Sequence, residues 1–212
     1  MKSKKFSLRR LIFMIIGNMI LGVGIGIFKL SGFGNDPSSA MVMAVGEKLG
    51  IAFSVMLLIF NCLWFVIEIV FGRHLIGLGT FFNWFLVGIF ADLFVNAVTS
   101  VTAIPTGLPA RLLILVVGIL VLSFACSLYQ TADMGISPYD SHALLLSENL
   151  PVPYFWLRIG TDSLCTLVAL AFGGLIGIGT LVCALGLGPF ISFFNRAVSE
   201  KLIFGKNGKN KE

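Results

Sequence analysis

Long apolar runs set the first bound on this fold, because about twenty residues with few charges are enough to cross a bilayer as a helix. Six runs qualify: Leu11 to Leu30, Ile51 to Phe71, Thr80 to Val98, Leu112 to Thr131, Tyr154 to Phe172 and Thr180 to Val198. Four of them carry at most one or two charges each, and the other two are split by an acid or by glycine. With 57% hydrophobic and 12% charged residues and a mean hydropathy of +0.98, the chain is more apolar than a soluble domain can be. The expected class is an all-α integral membrane protein of six spans, forming one domain over residues 1–212.

Charge placement supplies an orientation. With the N-terminus inside, twelve of the fifteen Lys and Arg fall at cytoplasmic positions: Lys2, Lys4, Lys5, Arg9, Arg10, Arg73, Arg158 and the five from Arg196 to Lys211. Lys29, Lys48 and Arg111 face outward. This positive-inside pattern puts both termini in the cytoplasm and explains the pI near 9.2 without a nucleic-acid partner. The first run has basic flanks like a secretory signal, but it is longer than a signal core and has a counterpart in the second half of the chain, so it is read as a span. The four cysteines all lie within spans and lack metal-type spacing, so neither a disulfide framework nor zinc is expected.

The two halves repeat one plan. Gly34 to Ser39 (Gly-Asn-Asp-Pro-Ser-Ser) follows the first span, and Gly135 to Asp140 (Gly-Ile-Ser-Pro-Tyr-Asp) follows the fourth. Each sets a glycine break before a proline suited to the first turn of a helix, with a capping residue directly ahead of it: Asp36 before Pro37 and Ser137 before Pro138. Ser137 and Asp140 also fit a capping box. The helix starting near Ser38 and reaching Gly50 is only ~20 Å long, too short to span. The linkers Leu75 to Thr80 and Leu175 to Thr180 agree in five of six residues. Below them, Thr80, Trp84, Gly88, Asp92 and Asn96 align with Thr180, Ala184, Gly188, Ser192 and Arg196, rows that suit a face turned toward protein or a cavity. Gly22 and Gly26 suit close helix packing and not a nucleotide loop; their counterparts are Ser123 and Ser127, and Gly17 matches Gly118. A unit of three spans is odd-numbered, so the second copy enters from the opposite side. Repeat 1 (about 11–98) and repeat 2 (about 112–198) are therefore expected to be inverted, each with a Gly/Pro-broken short helix after its first span, and joined by Thr99 to Ala110.

From the first span to the sixth, the chain resembles the YczE/YitT-type bacterial integral membrane proteins, which carry a Gly-x-x-Pro break and a Gly-x-Gly-Thr linker. Gly135, Pro138 and Asp140 match that pattern, as do Gly77, Gly79 and Thr80, and Gly177, Gly179, Thr180 and Pro189. The first break departs from it: Ser39 stands where an acid is usual, and the acid, Asp36, precedes the proline. The resemblance implies a multi-pass protein of the bacterial plasma membrane and no particular substrate.

Ionisable and polar groups within spans each require a reason. Arg158 and Asp162, four apart on one face, read as a neutralised pair or as groups lining a cavity. Glu68, on the face of Asn61, would snorkel toward Arg73 or His74. Asp92 lies deeper, where Asn96 or a water-filled cavity could solvate it. Thr80 and Thr180 complete the intramembrane polar set. His74 and His142 have no partners at metal or triad spacing, so no enzyme, metal or cofactor is expected.

These readings converge on a transporter or channel for a small polar solute, with a site where the broken segments meet: Asp36, Pro37, Ser38 and Ser39 with Ser137, Pro138, Tyr139 and Asp140. The alternative is a non-transporting accessory or scaffold protein assisting another membrane complex. Expected partners are the lipid bilayer and the solute, with a homodimer as an option.

Overall fold

The computed structural model describes residues 7–152 and 154–205, apart from the side chains of residues 154, 155, 185 and 186. The basic tails weighed above, residues 1–6 and 206–212, lie outside the described residues. The elements are α1 (Leu8–Ser31), α2 (Pro37–Leu49), α3 (Phe53–Phe71), a 3-10 turn (Arg73–Leu75), α4 (Leu78–Val101), α5 (Leu108–Ala132), α6 (Pro138–Asn149), α7 (Tyr154–Ala171), α8 (Ile178–Phe194), a π-helical turn (Asn195–Ser199) and α9 (Glu200–Phe204). No strand occurs among the described residues.

Four helices, α1, α3, α4 and α5, are long and apolar enough to cross a membrane. Ile178–Ala184 with Leu187–Phe204, bent by 56° to each other, would make a fifth. Pro189 lies inside α8 and cannot donate to the carbonyl four residues earlier, which accounts for a kink there. Of the six expected spans, α7 is the one not in this set; it carries Arg158 and Asp162.

α1 and α5 form the centre and run antiparallel. Arg10 at the start of α1 donates from Nε to the Ala132 carbonyl at the end of α5 (2.7 Å) and from a terminal nitrogen to Asp133 O (2.8 Å). At the other end Arg111 repeats this on Ser31 O (2.8 Å) and Gly32 O (2.7 Å). Two arginines thus satisfy the orphan carbonyls of the helix that each lies against. Arg111, which the charge pattern left as an outward exception, has this structural employment.

The remaining packing follows the same correspondence. α4 lies parallel to α1, with Gly22 and Gly26 pressed against Val87, Ala91 and Phe94, as the small-residue spacing predicted. α8 lies against α5, where Gly179 meets Leu115 and Thr131 Oγ1 donates to Asn195 (3.0 Å). The short helices cross over: α2 packs on α7, and α6 packs on α3. The core consists of the inner faces of α1, α2 and α5, including the buried Phe28, Val42, Leu122, Ala125 and Tyr129. The outer faces of α3, α4 and α7 expose large apolar side chains such as Leu63, Phe85 and Leu167, as a lipid-facing surface would.

Candidate functional site

Both breaks start helices in the way their residues dictate. Pro37 opens α2, and Asp36 Oδ2 accepts from the Ser39 N–H (3.0 Å). Pro138 opens α6, and Ser137 Oγ accepts from the Asp140 N–H (3.1 Å). Only half of the expected capping box is used. The Asp140 carboxylate turns away to Arg158, where charge neutralisation inside the protein outweighs a backbone contact.

Each Gly-x-Gly-Thr linker clasps the break of the other half, a contact that sequence reasoning missed. The Gly79 N–H donates to Met134 O (2.7 Å) and the Ile136 N–H to Leu75 O (3.2 Å). Thr80 Oγ1 adds a bond to Ile136 O (2.8 Å). In the opposite clasp the Gly179 N–H donates to Phe33 O (2.9 Å). Glycine is required here because backbone meets backbone: a Cβ at Gly77 would run into Met134 O, and one at Gly177 would lie 2.5 Å from Phe33 O.

The clasps bring the two helix starts to one cavity of about 110 Å³. Asp36, Ser38 and Ser39 line one side, and Ser137, Tyr139, Asp140 and Arg158 the other. Asn61, Asn83, Cys126 and Tyr129 add to the wall. Pro37 and Pro138 are buried behind these residues, fixing the entry geometry of α2 and α6.

The charged group is larger than the expected pair. Arg158 bonds Asp140 at 2.6 Å and lies 3.3 Å from Asp162, so two carboxylates share one guanidinium. Tyr129 donates its phenol to Asp140, and Tyr139 donates to Asp162 (2.5 Å). The guanidinium also lies over the Tyr139 ring, 4.8 Å from its centroid, a cation–π contact. Asp36 differs: Oδ1 is buried and has no hydrogen-bond partner among the described residues.

The other polar residues singled out in the sequence fall into separate roles. Thr80 and Thr180 are fully buried in the clasps, Thr80 bonded and Thr180 Oγ1 without a partner among the described residues. Asp92 has an employment beyond the expected solvation: its Oδ2 accepts the Ser54 N–H (2.8 Å) in the first turn of α3, so it serves as a cap supplied by α4. It does line a separate cavity with Asn96, Lys29 and Glu47. Glu68 overturns the snorkelling account. It is fully buried, with neither carboxyl oxygen hydrogen-bonded among the described residues, while Arg73 bonds Ile69 O and His74 pairs with Glu148. The crossing of α6 over α3 encloses this residue, which a helical wheel could not foresee. Asn61 shares its buried face as expected.

Sequence reasoning also missed an amide chain. Asn83 Nδ2 donates to Asn18 Oδ1 (2.7 Å), and Asn18 Nδ2 to Met14 O (2.9 Å). Both are asparagines within apolar runs, which was the available signal. Among the described residues no cluster of His, Cys, Asp or Glu could hold a metal ion.

Residues 8–196 match the model of a family of unknown function, DUF6198, and the chain belongs to that family. It is 26% identical over 179 residues to an uncharacterised protein of Haemophilus influenzae, covering 82% of this chain and 78% of that one. It is 25% identical over 182 residues to the uncharacterised membrane protein YczE of Bacillus subtilis, covering 85% and 83%. With the uncharacterised Bacillus subtilis protein YyaS it shares 25% identity over 195 residues, covering 91% and 94%. No solved structure matches the chain. The YczE-type resemblance is thereby shown, and with the apolar helices it identifies a membrane protein.

Proposed function

We propose that this membrane protein is a carrier or channel for a small polar solute, built as six spans in two inverted repeats, with its site between the two breaks. It is not an enzyme, and it resides in the bacterial plasma membrane with both termini cytoplasmic. The observation that carries the reading is the meeting of two short-helix N-termini, one from each half, on a single cavity furnished with hydroxyls, amides and charges. The antiparallel α1 and α5, the matched arginine caps and the reciprocal clasps support inversion of the halves. In this arrangement α7 is the remaining span, tolerated because Arg158 is neutralised by its two acids.

The test is solute entry into proteoliposomes, followed by light scattering after osmotic challenge with a panel of small polar solutes. Replacing Ser38 and Ser39 by alanine is expected to slow entry roughly fivefold, the scale of one lost hydrogen bond, with an almost unchanged unfolding temperature. Lost stability with unchanged entry would reduce both segments to turn-making caps. Absence of entry for every solute, with partner-dependent co-purification, would favour the accessory role.

A further inference from the structure

We propose that the cavity between the breaks binds a small organic cation bearing N–H donors, of the primary ammonium or guanidinium kind, with Asp36 as its direct partner. This deepens the transport reading and rests on it for the cavity's purpose. The donors around the cavity are already spent inside the protein. Asp36 Oδ2 caps α2, Ser137 caps α6, and Asp140 takes both Arg158 and the Tyr129 phenol. The two helix ends, capped by Asp36 and Ser137, and the guanidinium, held by Asp140 and Asp162, would otherwise attract an anion but are already occupied.

Among the described residues that line the cavity, one buried acceptor is left unmet, Oδ1 of Asp36. Charge points the same way. Asp36 and Asp140 line the cavity, Asp162 stands behind them, and Arg158 is the cation among them, so three carboxylates face one guanidinium. Burying that excess is unfavourable until a cation joins it. Asn83 spends its amide N–H on Asn18, which leaves its carbonyl oxygen as a further acceptor, and the Ser38 hydroxyl stands beside Asp36. Size restricts the ligand: about 110 Å³ is less than the ~150 Å³ cavity known to admit benzene, so a handful of heavy atoms fit.

The experiment uses the purified full chain in lipid nanodiscs. Thermal unfolding is followed against increasing methylammonium chloride, with sodium acetate, acetamide and sodium chloride as controls at matched concentration. Saturable stabilisation by methylammonium alone is expected. Asp36→Asn, which can still cap α2, should weaken it by about tenfold or more. Stabilisation by acetate or acetamide instead, no response to methylammonium, or equal affinity in Asp36→Asn would each overturn the proposal. Should the variant fail to fold, the wild-type comparison decides alone. Methylammonium binding without entry into vesicles would retire transport and keep the cation site. Entry of neutral or anionic solutes without methylammonium binding would do the reverse.

Discussion

The second break is tied to the opposite half through Met134 O, the Ile136 N–H and Ile136 O, whereas the first shows one such bond among the described residues, through Phe33 O. The first is held instead by its own side chain: Asn35 Nδ2 reaches back to Ile25 O (3.0 Å), and Asn35 Oδ1 accepts the Asp36 N–H (2.9 Å). The acids follow the same division. Asp140 lies within α6 and locks α5, α6 and α7 together through Tyr129 and Arg158. Asp36 precedes its proline, caps α2 and keeps one oxygen unpaired among the described residues. The two halves therefore differ, the second break built into a scaffold and the first left with chemistry to spare. The shifted acid is the sequence trace of that division.

Removing the scaffold's cation is the severest way to test the contrast. Arg158→Met leaves Asp140 and Asp162 without their counter-ion, at an expected cost of about 3 kcal/mol, the low end for a buried pair because Arg158 and Asp140 are 29% and 21% exposed. Adding Asp162→Asn does not restore stability, because Asp140 stays unpaired; adding Asp140→Asn as well recovers most of it. Denaturation of the purified variants measures both steps. Recovery already in the double variant would mean that Asp140 is not part of the group.

The clasps provide an intermediate contrast. Gly77→Ala and Gly177→Ala each drive a methyl into a backbone carbonyl, of Met134 and Phe33 respectively. Overpacking of this kind costs roughly 1–3 kcal/mol. The larger loss is expected for Gly77→Ala, whose displacement strains three cross-half bonds. Equal losses would show the two clasps to be equally rigid.

Local features were readable from the chain alone. The breaks, the proline starts and the thirteen-residue α2 follow from capping chemistry and periodicity, and the four strongest apolar runs became α1, α3, α4 and α5 within a few residues. The i,i+4 pair of Arg158 with Asp162 was legible because one helix holds both. Its stronger partner, Asp140, lies eighteen residues away on another helix, and only the packing of α6 on α7 brings it near. The linkers were recognised as equivalent, but not as clasps, since a repeat shows which segments correspond and not what they touch. Asn18 and Asn83, 65 residues apart, were hidden for the same reason.

The smallest predicted effect is also the sharpest, because it differs between two threonines in equivalent places. Thr80 Oγ1 donates to Ile136 O and also accepts the Gly77 N–H (3.2 Å), while Thr180 Oγ1 is buried without a partner among the described residues. Valine has nearly the shape of threonine, so the substitution removes the hydroxyl and little else. Thr80→Val strands the Ile136 carbonyl and the Gly77 amide in the protein interior, at an expected cost of about 1–2 kcal/mol. Thr180→Val removes an unsatisfied hydroxyl and should be neutral or slightly stabilising, since a buried polar group without a bond is itself unfavourable. Unfolding curves of the two variants, measured side by side, decide the matter. A loss at Thr180 equal to that at Thr80 would place a second hydrogen bond, from the threonine, in the first clasp, and the division between a tied half and a looser half would fail at its most local point.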